Sequence, residues 1–95
     1  MTRQEILEEA VKIITADRES QYGPPEDSFS TIAKFWQTYL DARPPGPLQP
    51  QDTAAMMTLL KIARIAVQPE KADSWIDAAG YSACGGAIAT SKQPS

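Results

Sequence analysis

Gln51–Tyr81 reads QDTAAMMTLLKIARIAVQPEKADSWIDAAGY. Gln68-Pro69 splits this stretch into two helices joined by a short turn, because proline cannot continue a helix. In the first arm Met56, Leu59, Leu60, Ala63 and Val67 recur at helical spacing. Met57, Lys61 and Arg64 form another stripe at i, i+4 and i+7, which sets two cations side by side. In the second arm Asp73, Asp77 and Tyr81 share a stripe that continues through Cys84 and Ile88. A helical hairpin with two cations on one arm and two carboxylates on the other has two uses. It can hold a phosphorylated ligand, with or without a metal, or it can be a set of inter-helix ion pairs.

The rest of the chain supplies more helices around this hairpin. On either side of Tyr81, the residues Ala78, Ala79, Gly80, Ala83, Gly85, Gly86 and Ala87 make the last helix small-sided, open to close approach by another helix or subunit. Thr90–Ser95 is a polar tail. Upstream, Asp41–Pro50 (DARPPGPLQP) is proline-rich and reads as an irregular loop. Asp52 then suits the N-cap or first turn of the third helix. Phe29, Ile32, Ala33, Trp36, Tyr39 and Leu40 trace the clearest amphipathic helix, with Pro25, Glu26 and Asp27 at its start. Trp36 is expected in the core. Gly23-Pro24-Pro25 breaks the chain before it, and Arg18 and Tyr22 lie in the polar segment leading to that break. The first helix opens with a Thr2/Glu5 capping box and runs to about Asp17, with Ile6, Leu7, Ala10, Val11, Ile13 and Ile14 on its apolar face.

Composition bounds the function. Ninety-five residues make one domain with a modest core, marginal for deep burial unless subunits associate. The net charge of −3 disfavours duplex nucleic acid, whose phosphates demand many cations, yet leaves room for a small anion at a local basic pair. Without histidine, a His general base, a Ser-His-Asp triad and a Cys/His zinc site are all ruled out. Any metal must sit on carboxylates and water, which favours Mg²⁺ or Mn²⁺. The lone Cys84 forbids an intrachain disulfide and fits a reducing cytoplasm. The charged start MTRQEILEEA lacks the apolar run of a signal peptide, and no apolar run reaches membrane length.

Arg18, Tyr22, Lys61, Arg64, Asp73, Trp75, Asp77 and Tyr81 together suit a nucleotide. Cations hold phosphate, aromatics stack on a base, and carboxylates bind a divalent ion or hydrogen-bond a ribose. Four segments then carry a family resemblance: DRESQYGPPEDSF (17–29), IAKFWQTYL (32–40), DTAAMMTLLKIARIA (52–66) and KADSWIDAAGYSA (71–83). The chain resembles small phage and prophage proteins of uncharacterised function. More distantly it is similar to all-α MazG-like nucleotide pyrophosphohydrolases and nucleotide-modification-associated domains. MazG-like enzymes act as oligomers and hold Mg²⁺ through an E-x-x-E pair and an E-x-x-D pair. Glu5 and Glu8 match the first; Asp73 and Asp77, at i and i+4, depart from the second.

The expected fold is therefore an all-α, compact, MazG-like bundle of about four helices with a proline-rich loop at 41–50, in one domain over 1–95. The expected function is binding of a phosphorylated nucleotide, to sequester a nucleotide signal or regulate a nucleotide pool. A Mg²⁺-dependent nucleoside triphosphate pyrophosphohydrolase is one alternative, with Asp73, Asp77, Glu5 and Glu8 as metal ligands; otherwise no cofactor is required. A helical interaction module without a small ligand is another. A homo-oligomer is expected, in the cytoplasm (the host's, if the chain is phage-encoded).

Overall fold

The computed structural model describes residues 1–15 and 25–91. Four helices make up the described chain: α1 (Arg3–Thr15), α2 (Pro25–Ala42), α3 (Pro50–Val67) and α4 (Ala72–Thr90). No strand occurs among the described residues, so the all-α expectation holds. Helix α1 starts as expected: the Glu5 amide donates to Thr2 Oγ1 at 3.1 Å, and the Thr2 amide donates to Glu5 Oε1 at 3.3 Å. Helix α2 begins at Pro25 and takes in Asp41 and Ala42, and α3 begins at Pro50. The irregular loop is thus 43–49, shorter at both ends than its proline content suggests.

That loop is organised by Arg43. Its guanidinium donates to the Gly46 and Pro47 carbonyls at 3.0 Å each and to Asp52. A rigid planar fork is well suited to gathering acceptors from a loop whose prolines leave carbonyls unmatched by N–H donors. Gly46, at φ 143°, occupies a conformation that a side chain rarely adopts, and so lets the loop turn. Asp52 lies in the first turn of α3, as expected, three residues after the N-cap Gln49.

Helices α2, α3 and α4 run antiparallel in sequence. Trp36 of α2 donates its ring N–H to the Met56 carbonyl of α3 at 2.7 Å, and Tyr39 reaches back to Asp52. Gly85 of α4 lies against Ala54 of α3, whereas Lys61 pairs with Asp77. In both pairs of helices one index rises as the other falls. Helix α3 ends with the Gln68 amide on the Arg64 carbonyl at 2.9 Å, and the turn to α4 is closed by the Lys71 amide donating to the Gln68 carbonyl at 3.3 Å. Helix α4 is preceded by Lys71 at its N-cap, so Asp73 lies inside the first turn and does not cap it.

Gly85 sets the α3–α4 spacing. A Cβ there would stand 2.7 Å from the Ala54 Cβ, closer than two carbons approach. Of the small-sided stripe of α4, Gly85 is thus used for close packing within the chain, while Ala79, Gly80, Ala83, Gly86 and Ala87 are exposed. Apolar burial is otherwise slight. Among the described residues Ile32 and Ala63 are the buried hydrophobic side chains, and no large side chain is fully enclosed. Trp36, expected in the core, is half-buried and lies at its edge, because its ring N–H is held by the Met56 carbonyl at the α2–α3 contact. Residues 1–14 are exposed throughout.

Candidate functional site

The close α3–α4 approach at Gly85 opens into a groove of about 450 Å³. Its lining includes Tyr39 from α2, Gln51 and Thr58 from α3, and Tyr81, Ser82 and Gly86 from α4. Volumes of this size suit small organic ligands. Two phenol rings, two hydroxyls and an amide are set there among alanine and glycine. Such a lining offers stacking surface and neutral hydrogen-bonding groups, with no charge inside.

Charge lies beside the groove. Lys61 is one turn beyond Thr58 on α3, and Asp77 is one turn before Tyr81 on α4. Their side chains pair at 2.9 Å. The Lys61 side chain is 14% exposed and that of Asp77 48%. Of the two uses open to this hairpin, inter-helix ion pairing is therefore realised for Lys61 and Asp77. Arg64 is half-buried one turn further along α3.

The remaining expected site residues are dispersed. Asp73 is exposed at the start of α4. Trp75 is 55% exposed, and its ring N–H donates to the Pro69 carbonyl at 2.8 Å, which ties it to the turn. Glu5 and Glu8 are exposed on α1, where Glu5 caps the helix and Glu8 accepts from Gln4 at 3.2 Å. Among the described residues no three His, Cys, Asp or Glu side chains form a group able to hold a metal ion. Arg18 and Tyr22 lie outside the described residues. Of the residues singled out in the sequence, Tyr81 lines the groove and Lys61 and Asp77 flank it.

Tyr39, Gln51, Thr58 and Ser82 escaped the sequence reading. Its spacing sets Tyr39 on the apolar face of α2, and that position carries it to the groove. The other three are neutral residues whose importance depends on how α4 lies on α3. Tyr39 also belongs to a buried polar cluster. Its hydroxyl donates to Asp52 Oδ1 at 2.6 Å. Asp52, 5% exposed, also accepts from the Gln49 amide at 2.7 Å and pairs with Arg43 at 3.1 Å. The Tyr39 hydroxyl and the Gln49 amide, with Arg43, hold the Asp52 carboxyl below its ordinary pKa, against the opposing effect of burial. The same hydrogen bond, together with burial, raises the Tyr39 phenol. This cluster fixes one wall of the groove.

A family profile for the domain of unknown function DUF6378 matches residues 5–89. The chain belongs to the DUF6378 family. It is 38% identical over 79 residues to the Gene 55 protein of Mycobacterium phage D29, covering 83% of this chain and 50% of that protein. It is 37% identical over 76 residues to the Gene 55 protein of Mycobacterium phage L5, covering 80% of this chain and 47% of that one. This DUF6378 chain thus spans about half the length of the curated relatives it matches. No solved structure matches it. The similarity to phage proteins is thereby established, while the resemblance to MazG-like enzymes is not shown by these matches.

Proposed function

We propose that this chain binds a phosphorylated nucleotide in the α3–α4 groove and does not hydrolyse it. The observation that carries this reading is the groove itself: two tyrosines, two hydroxyls and an amide, with the Lys61–Asp77 pair one turn along the helices from Thr58 and Tyr81. Tyr39 and Tyr81 offer ring faces to a base. Ser82 and Gln51 offer donors and acceptors to a ribose or base edge, while Thr58, whose hydroxyl donates to the Ala54 carbonyl at 2.8 Å, offers an acceptor. Lys61 supplies the phosphate contact by exchanging Asp77 for a ligand oxygen. Asp77 is half exposed, so releasing it to water costs little. The binder is preferred to the hydrolase because Asp77 is engaged by Lys61 and the i, i+4 pair with Asp73 departs from the hydrolytic spacing. Sequestering a nucleotide signal, or buffering a nucleotide pool, needs no more than this.

A thermal-shift panel of linear and cyclic nucleotides, each with and without Mg²⁺, tests the reading, since a ligand of the native state raises the melting temperature by mass action. At least one nucleotide should stabilise the chain in EDTA and be recovered intact after denaturation. Lys61→Ala should weaken that ligand about tenfold or more, because a charge-assisted phosphate contact contributes roughly 1.5–3 kcal/mol. Asp77→Asn should leave affinity unchanged or raise it, having removed the competing carboxylate. Steady Mg²⁺-dependent release of pyrophosphate, abolished by Asp77→Asn, would instead establish the hydrolase.

A further inference from the structure

We infer that α1 is a self-association helix whose apolar face packs on a second copy of this chain. This goes beyond the ligand groove and does not depend on it. In α1, Ile6, Ala10 and Ile13 form one row, with Leu7 and Ile14 beside it; Glu5, Glu8, Glu9 and Lys12 lie on the other side. Ile6 is 52% exposed, Leu7 65%, Ile13 57% and Ile14 54%. The helix has 13 residues. Isolated helices of that length are marginal in water, and most helical stability comes from packing an apolar face. Local supports are present in α1, but the Thr2/Glu5 box and the Lys12–Glu9 pair at 3.2 Å leave the apolar face uncovered.

The exposed area says how much must be covered. The chain exposes 7096 Å². A folded monomer of 10.3 kDa is expected to expose roughly 5,400 Å², leaving an excess of roughly 1,700 Å². A standard interface takes about 800 Å² from each partner, and obligate homodimers take more. An excess of this size leaves room for an interface of standard area.

Two observations favour a second copy over other occupants. Interfacial membrane helices carry Lys and Arg on the polar face, to meet anionic lipid. Here Glu5, Glu8 and Glu9 offset Arg3 and Lys12, so α1 lacks the basic polar face that draws such helices to anionic lipid. The chain also carries its own counterface: Phe29 on α2 is 64% exposed, and Trp75 and Ile76 on α4 are 55% and 65% exposed. A copy thus offers the apolar surface that α1 lacks, always at matching stoichiometry.

Light scattering of the unmodified chain across the micromolar range should give at least twice the 10.3 kDa chain mass. Leu7→Asp combined with Ile14→Asp should raise the dissociation constant at least tenfold, by placing charges in an apolar contact. A monomeric unmodified chain overturns the inference. If that monomer sediments with phosphatidylglycerol vesicles, the face belongs to a membrane. A double variant that stays fully assembled also overturns it, because another surface then holds the copies together. Should the variant lose its helical signal, NMR on a mixture of labelled and unlabelled unmodified chains decides. Intermolecular contacts from the Leu7 and Ile14 methyls are expected, and their absence overturns the inference.

Discussion

Asp52 joins three parts of the chain through one carboxylate. It accepts from Tyr39 of α2, from Arg43 at the start of the proline loop, and from the Gln49 amide at the end of that loop. It also stands in the first turn of α3, where the helix dipole favours negative charge. Its folded pKa lies below its unfolded value, so the ionised form is the one the fold favours. The stability it contributes is present above the ordinary Asp value of about 3.9 and is lost as pH falls through the depressed folded value. Tyr39 behaves in the opposite sense. Its pKa is raised, so its contribution is present below about 10 and lost as pH rises through the folded value. Asp52→Asn should lower the melting temperature at neutral pH, and the gap from the unmodified chain should narrow as the pH is taken into the acid range. A gap that stays constant from neutral to acid would show that the cluster acts by shape and not by charge.

The α3–α4 hairpin depends on glycine in two different ways. At Gly85 a Cβ would press into Ala54, and the helices would have to separate. At Gly80 nothing lies within 4 Å of an added Cβ. Alanine in an exposed helical position gains roughly 1 kcal/mol over glycine, whereas overpacking costs roughly 1–3 kcal/mol. Gly80→Ala should therefore raise the melting temperature and Gly85→Ala should lower it; equal stabilisation by both would mean that the α3–α4 approach is not tight. Hydrophobic period, proline and capping chemistry made the helices legible in the sequence: α1 from its capping box, α2 from Pro25 and the Ile32–Trp36 face, and the α3–α4 break from Gln68-Pro69. The groove was much less legible. Its position depends on which of several small residues in α4 meets Ala54, and composition marks Gly80, Gly85 and Gly86 alike. Arg43 was hidden for a related reason. A proline-rich stretch suggests an irregular loop, and its acceptors become apparent only when the Gly46 and Pro47 carbonyls converge. The Lys61–Asp77 pairing was visible as one of two options, because facing stripes cannot reveal whether the ions bind each other or a ligand.

For the whole molecule, the chain shows a mismatch between good local structure and little burial. Helices α1 and α3 carry capping boxes, yet Ile32 and Ala63 are the buried hydrophobic residues among those described. Hydrophobic burial is the main term opposing chain entropy, and a domain of this size is marginal even with a complete core. If copies supply the missing burial, folding and association are one equilibrium, and stability must depend on concentration. For a two-chain assembly each tenfold rise in concentration adds RT ln 10, about 1.4 kcal/mol, spread over the unfolding entropy of both chains; the melting temperature should then climb by about 3 °C per decade. Scanning the unmodified chain over two decades of concentration measures this directly. The same scan on the Leu7→Asp, Ile14→Asp variant should be flat and displaced to lower temperature. A flat scan for the unmodified chain would place its whole stability within one copy, so that the exposed faces of α1, α2 and α4 would contribute nothing to folding.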